Sequence, residues 1–176
     1  MKSCFSKKII ALLFSATVLI SSATAIEITV GGKVQGSFDY MNYKSNPPVA
    51  YMGIGCGPAV YCEIDFIYFG ICKLGIRPEV SASFPLETTD TKPEHFSFFD
   101  AKAPVWFTVS PSYKFDFAIG LGWGFAACGP TFDMQTAFKL GPGKIIVNPY
   151  FSFDVVHNSE PIEFWGGLGL GYQYTF

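Results

Sequence analysis

The chain has 176 residues, of which 49% are hydrophobic and 18% aromatic, and its formal net charge is −2. This acidic balance lacks the basic patch that a nucleic-acid-binding domain needs, so we expect no nucleic-acid partner. After the first 25 residues, no uncharged apolar run reaches the 18 residues that would indicate a spanning helix.

The first 25 residues have the pattern of a secretory signal peptide. Lys2, Lys7 and Lys8 form a basic start, residues 9–20 are mostly apolar, and Ala23-Thr24-Ala25 is a small-residue cleavage site. We therefore predict a signal peptide over 1–25 and one mature domain over 26–176. An exported domain this apolar needs another apolar phase against its surface. Without a spanning helix, a closed barrel is the way to satisfy its backbone in lipid.

The mature chain alternates between apolar and polar or small side chains with a period of two. This period is typical of strands with two different faces. In most segments the large aromatic and aliphatic residues share one face, and the charges and glycines share the other. The predicted strands, in chain order, are 26–40, 52–66, 74–84, 105–109, 115–125, 132–140, 145–153 and 166–176.

The connections between these strands differ in length at the two ends. Short turns are predicted near Gly70, Ser112 and Pro142, whereas the polar stretch 85–104 is predicted as a loop into which strands extend. A last loop covers 155–161. Short turns at one end and longer loops at the other, with an even strand number, are typical of outer-membrane barrels. We predict an all-β, eight-stranded antiparallel transmembrane up-and-down β-barrel.

The C-terminal strand ends on an aromatic residue. With the signal peptide and the eight alternating segments, this strand makes the chain resemble the small bacterial outer-membrane β-barrels of the OmpA transmembrane domain, OmpX and OmpW type. The resemblance is one of pattern and covers nearly all of the mature chain. It implies residence in the outer membrane, contact with outer-membrane lipid, and recognition by the barrel-assembly machinery through Tyr172, Tyr174 and Phe176.

Charged residues concentrate on the predicted inward face. Eight strands enclose only enough room for side chains, so inward charges must pair, bind water or shift their ionisation. One interpretation is a polar network that replaces an apolar core; the other is a narrow conduit for cations, or a bound cation, favoured by the excess of acids. The predicted network comprises Lys33, Asp39, Glu63, Asp65, Lys73, Arg77, Glu79, Asp116, Asp133, Lys139, Asp154 and Glu163, with Glu27 on the same face.

Three glycine stripes also point inward, at positions 53, 55 and 57, at 120, 122 and 124, and at 167, 169 and 171. They either leave space for a solute or let the sheet coil tightly while large aromatic side chains fill the gap. Both interpretations stay open at the level of sequence.

One segment contains the residue types of a hydrolytic site. His157 and Ser159 share a strand face, and Glu160 and Glu163 follow closely. The arrangement resembles the His-x-Ser of lipid A deacylase barrels, which implies Ser159 as nucleophile and His157 as base. Glu163 falls on the inward face, however, and the segment also has ordinary loop composition. The main interpretation therefore assigns no catalytic residue.

The four mature cysteines, Cys56, Cys62, Cys72 and Cys128, allow three disulfide connectivities. A bridge between Cys56 and Cys128 and free thiols both remain open. Their separation does not match a CxxC redox or zinc motif. We expect no metal and no cofactor.

The predicted function is that of a monomeric envelope protein without enzymatic activity. Its role would be structural, or an interaction of the extracellular loops with an external or host ligand. A narrow channel for small or hydrophobic solutes, which the resemblance to OmpW-type barrels implies, is the alternative. A hydrolase that modifies lipid A is the second alternative.

Overall fold

The computed structural model describes residues 26–43, 49–88, 99–125, 129–153 and 162–176. Their regular structure is entirely antiparallel β-sheet, and none of these residues forms a helix of the length and apolarity needed to span a membrane. The strands are β1 (Glu27–Tyr43), β2 (Val49–Phe69), β3 (Cys72–Ile76), β4 (Glu79–Ala82), β5 (Phe84–Thr88), β6 (Phe99–Lys102), β7 (Val105–Ser112), β8 (Phe115–Gly124), β9 (Gly129–Leu140), β10 (Gly143–Phe153) and β11 (Ile162–Thr175).

The sheet closes on itself. β1 pairs with both β2 and β11, and β8 to β11 follow one another around the ring. β3, β4 and β5 all pair with β2 and together form one interrupted barrel strand, while β6 and β7 form the next. Counted this way the ring has eight strands, and the predicted fold class, an eight-stranded antiparallel barrel, is confirmed.

Two interruptions of the ring coincide with prolines. Pro78 separates β3 from β4, and Pro104 separates β6 from β7. Proline has no backbone N–H to donate, so the regular ladder stops there. Backbone hydrogen bonds nevertheless continue across the breaks. Arg77 N donates to Pro104 O over 3.0 Å and joins the two breaks, and Cys62 N of β2 donates to Pro78 O over 3.1 Å.

Strands extend into the polar stretch 85–104 from both sides. β5 runs to Thr88 because it pairs with the N-terminal part of β2, where Gly53 lies opposite Thr88. β6 begins at Phe99 because it pairs with β4. Strands therefore occupy more of this stretch than its composition alone indicates, and residues 89–98 lie outside the described residues.

Both described chain ends and the tight turns lie at one end of the barrel, which we call the terminal end. Two of these turns use glycines in the left-handed region, Gly70 with φ 63° and Gly141 with φ 58°. Other residues adopt this conformation only at a cost. We call the opposite end, where β1 ends and β11 begins, the loop end.

The barrel is apolar outside and polar inside. Large apolar side chains such as Val34, Leu121 and Leu170 are 57–64% exposed. Among the described residues, buried polar and charged side chains outnumber buried apolar ones. A continuous apolar exterior is unfavourable in water but suits lipid, as expected for a membrane-spanning barrel.

Aromatic rings fill the space that the inward glycines leave. A Cβ added to Gly120 would collide with the Trp106 ring, and a Cβ added to Gly31 would collide with the Tyr61 ring. A Cβ on Gly167 would lie 2.6 Å from the Tyr150 hydroxyl. These glycines therefore accommodate rings rather than a solute.

Cys56, Cys62 and Cys72 form no disulfide with one another, and the bridge considered between Cys56 and Cys128 stays a prediction. Cys128 itself lies outside the described residues.

Candidate functional site

Five charged side chains meet at the centre of the barrel: Lys33, Arg77, Glu79, Lys102 and Asp133. Lys33 Nζ lies 2.8 Å from Glu79 Oε1 and 2.9 Å from Glu79 Oε2. Lys102 Nζ lies 2.6 Å from Asp133 Oδ1 and 3.5 Å from Glu79 Oε1. None of the five residues is more than 6% exposed. A buried charge costs several kcal/mol unless it is paired, and each acid here has a close cation. We call this group the central cluster.

Arg77 fills the space between two aromatic rings. Its guanidinium carbon lies 3.5 Å from the centroid of Tyr61 and 4.2 Å from that of Trp106. Nη1 donates to Gln135 Oε1 over 2.7 Å, and Nη2 lies 3.4 Å from Glu79 Oε2. A planar guanidinium can stack on rings while its edge donates hydrogen bonds. Arg77 thereby connects the third and sixth strands of the ring across the interior.

Amide side chains extend the central cluster. Gln135 Nε2 donates to Gln173 Oε1 over 3.0 Å, and the Tyr61 hydroxyl donates to the same oxygen over 2.8 Å. Asn148 Oδ1 accepts from Lys33 Nζ. The network therefore links β1, β2, β9, β10 and β11, and side chains rather than an apolar core hold the interior together.

A polar chamber of about 290 Å³, including its opening, lies on the terminal side of the central cluster. Lys73 forms an ion pair with Glu27, and Lys144 forms one with Asp116. Lys73 Nζ also lies 3.9 Å from Asp65 Oδ2. We call this space the terminal-end chamber.

Glu63 lines the same chamber and accepts a hydrogen bond of 3.2 Å from the Thr108 hydroxyl. With Glu27, Asp65 and Asp116 it makes four acids against two lysines in the lining. The terminal-end chamber is therefore acidic.

A second cavity, which we call the loop-end cup, lies on the other side of the central cluster and measures about 440 Å³ including its opening. Gln35 and Asp39 line one part of it, and the rings of Tyr150 and Trp165, which pack together, line another. The central cluster separates this cup from the terminal-end chamber.

The remaining residues of the predicted network lie elsewhere. Lys139 is on the inward face of β9, but it is exposed at the terminal end, where its Nζ donates to Pro142 O over 3.0 Å. β9 extends past the narrow part of the barrel there, so Lys139 does not join the central cluster. Asp154 lies outside the described residues, and the side chain of Glu163 does too.

The hydrolytic hypothesis concerns His157 and Ser159, and both lie outside the described residues. Among the residues that the structure describes, no three His, Cys, Asp or Glu side chains are grouped as a metal site would require.

The aromatic residues of the C-terminal strand face outward. The Tyr172 hydroxyl accepts a hydrogen bond from Gly143 N over 2.6 Å and donates to Leu140 O over 2.8 Å, so it joins β11 to the turn between β9 and β10. Tyr174 packs edge-to-face on Phe176 with ring centroids 4.9 Å apart. The assembly role of these residues is still a prediction.

Two lysines of the interior were missed by the sequence interpretation. Lys102 lies in the polar stretch before Pro104, which the sequence predicts as a loop, so no inward or outward face was assigned to it. Lys144 shares the parity of the inward residue Asn148, so its position could have been inferred from the alternation of β10.

Comparison with known proteins supports the fold. No family model and no curated protein sequence matches the chain. Among solved structures, it is similar to the crystal structure of Neisserial surface protein A, with a TM-score of 0.50 and 9% sequence identity. The alignment covers 82% of this chain and 97% of that one. At this identity the similarity concerns the fold alone.

Proposed function

We propose that the chain is a small integral outer-membrane β-barrel protein with an envelope-structural or surface-interaction role that its loops perform. The observation that carries this proposal is the central cluster. Paired and stacked side chains close the interior between the two cavities, so the barrel is suited to be a scaffold rather than a conduit. A rigid scaffold with variable loops is a common arrangement for recognition.

The proposal includes export and residence in the outer membrane. The predicted signal peptide over 1–25 and the resemblance to OmpA, OmpX and OmpW barrels support it, as does the apolar exterior. The surrounding lipid and the barrel-assembly machinery are the partners that this location implies.

Complementation of a deletion strain of the native host tests the role of the loops. The strain would carry wild-type protein, a variant with residues 89–98 replaced by a glycine-serine segment of equal length, or Asp116→Asn as an interior control. Detergent sensitivity and adhesion to surfaces are the readouts. A surface role predicts that the loop variant alone fails to restore adhesion, whereas a purely structural role predicts that all three restore detergent resistance. If the deletion changes neither property, the proposal is contradicted.

A narrow cation conduit is the alternative function. The observation that favours it is the acidic terminal-end chamber, where four acids face two lysines. In this alternative the central cluster would have to open, and ion conductance across a bilayer separates the two functions.

The hydrolase hypothesis has its own test. Mass analysis of lipid A exposed to wild type and to Ser159→Ala would detect a lost acyl chain. Activity in wild type that the substitution abolishes would support it.

A further inference from the structure

We infer that the loop-end cup is a binding site for a primary ammonium group presented from the loop side. The proposed function assigns a role to the loops. This inference concerns a cavity inside the barrel, so it goes beyond that function and does not depend on what the loops do. It depends on the size of the cavity, on its charge, and on acceptors that have no donor.

The cup is small. Its cavity of about 30 Å³ has room for one or two water-sized groups. A sugar ring or an aromatic ligand is too large for it. The head of an elongated molecule, with the remainder in the opening, fits the available space.

Two acceptors in the cup lack donors. Gln35 is 5% exposed, and its Oε1 accepts no hydrogen bond from the described residues. Asp39, four residues further along β1, lies half-buried and forms no ion pair with a described residue. A buried acceptor without a donor is unfavourable. A ligand that brings N–H donors would therefore be stabilised at these acceptors.

The charge of the lining selects a cation. Asp39, Glu79 and Asp100 line the cup together with one base, Lys102. Lys102 is already held 2.6 Å from Asp133, below the cup. Glu79 is already paired with Lys33, Arg77 and Lys102 in the central cluster, so Asp39 is the carboxylate through which the cup would attract a cation.

The chemistry of the cup favours an organic ammonium over a metal ion. The described residues include no metal-type grouping of acids. The walls instead contain the Tyr150 and Trp165 rings, whose faces attract alkylammonium groups. Lys102 Nζ and Lys33 Nζ already lie 5.0 Å and 5.7 Å from the Tyr150 centroid, so the Trp165 ring is the wall that would receive the ligand.

Hydroxyl groups nearby add to the acceptors of the cup. Ser37 Oγ and Ser83 Oγ lie 2.8 Å apart and bond to each other, and each oxygen keeps a lone pair that can accept a further hydrogen bond. Gln35 Oε1 and the Asp39 carboxylate are the principal acceptors for a primary ammonium, which carries three donors.

The test uses the refolded barrel in micelles, labelled so that the indole N–H signals of its three tryptophans are resolved by NMR. Trp165 lines the cup, Trp123 faces outward, and Trp106 lies beneath Arg77. Trp165→Phe identifies the Trp165 signal. The probes are n-butylammonium, a lysine residue capped at both ends, and tetramethylammonium, which has no N–H donor.

We expect the first two probes to shift the Trp165 signal in a saturable way and to leave Trp123 unchanged. Tighter binding of the capped lysine would identify a protein side chain as the source of the ammonium, and tighter binding of the alkylamine would identify a free amine. Asp39→Asn should weaken binding about tenfold or more, because a charge-assisted hydrogen bond is lost. Gln35→Glu should strengthen it, and Asp116→Asn in the other chamber should leave it unchanged.

Three results would overturn the inference: equal shifts with tetramethylammonium, parallel movement of Trp123, or unchanged affinity in Asp39→Asn. If Asp39→Asn does not fold, Gln35→Glu provides the test: tighter binding of the ammonium probes supports the inference, and unchanged or weaker binding overturns it. Ion conductance of the wild type in a bilayer would contradict the proposed function but would not bear on ammonium binding in the cup. The proposed function and this inference can therefore be rejected independently.

Discussion

The side chains of Lys33 and Glu79 meet although β2 lies between their strands in the barrel wall. Their sequence separation of 46 residues recurs in the pairs Glu27–Lys73 and Ser37–Ser83. Lys33 lies opposite Ala59 of β2 and Ser37 lies opposite Gly55, whereas Glu27 lies opposite Asp65. A Cβ on Gly55 would lie 2.7 Å from Ser83 Oγ and 2.9 Å from Ser37 Oγ. Small residues at inward positions of β2 therefore allow the first and third strands of the ring to pair their side chains at Lys33–Glu79 and Ser37–Ser83.

Alanine substitutions along this region should have graded effects. A Cβ on Gly57 would lie 2.7 Å from the Ala82 carbonyl carbon, which is backbone and cannot move aside. We expect Gly57→Ala to lower the free energy of unfolding by about 2 kcal/mol. Gly55→Ala should cost less, because the serine hydroxyls can rotate. Gly32→Ala is the matched control, since its nearest atom is 3.8 Å away. Urea unfolding in lipid vesicles provides the measurement, and equal effects at Gly57 and Gly32 would contradict the explanation.

Glu79→Gln should strongly destabilise the barrel. The change leaves Lys33, Arg77 and Lys102 close together with Asp133 as their remaining acid in the central cluster. Removing one partner from a buried ion pair costs about 3–5 kcal/mol. Urea unfolding should reveal a loss of this size. Glu27→Gln, whose ion pair with Lys73 is partly exposed, should cost less than about 1 kcal/mol.

The substitution Arg77→Lys should destabilise the barrel, although it keeps the positive charge. Lysine keeps the charge but loses the planar stack between Tyr61 and Trp106 and leaves Gln135 Oε1 without its present donor. We expect a loss of about 2 kcal/mol in unfolding free energy. Lys139→Ala, at an exposed position of the terminal end, should change it by less than about 0.5 kcal/mol. Full stability of Arg77→Lys would indicate that charge alone matters at this position.

Tyr172→Phe should weaken the junction between β11 and the turn that follows β9. The hydroxyl bonds both Gly143 N and Leu140 O, and its removal should cost about 1–2 kcal/mol. Tyr174→Phe removes a hydroxyl without a hydrogen-bond partner among the described residues, so it should be nearly neutral. The fraction that retains folded gel mobility during heating measures both. Because phenylalanine keeps the aromatic ring, we expect assembly in cells to proceed normally in both variants.

Strand alternation predicted much of the fold. The inward position of Lys33, Arg77, Glu79 and Asp133 follows from a period of two, because successive side chains of a strand point to opposite faces. Closure of the sheet follows from the absence of any other way to pair edges in lipid, and the number eight follows from the count of alternating segments. These inferences need only local sequence.

The pairing inside the barrel could not be predicted in the same way. Which inward residues meet depends on the stagger between strands, and this stagger produces the separation of 46 residues between Lys33 and Glu79. Lys102 was missed because the polar composition and Pro104 do not predict a strand there. β6 forms nevertheless, because it pairs with β4. Lys139 has the right parity but lies beyond the closed part of the interior. Parity alone gives the face of a residue and not its depth.

The most direct test of the central claim is the ion conductance of refolded wild-type protein in a planar lipid bilayer, after gel mobility before and after boiling has confirmed folding. A barrel closed by the central cluster predicts a silent trace at all voltages that the bilayer withstands. Discrete conductance steps that favour cations and change in Glu63→Gln would contradict the claim and establish a conduit through the interior.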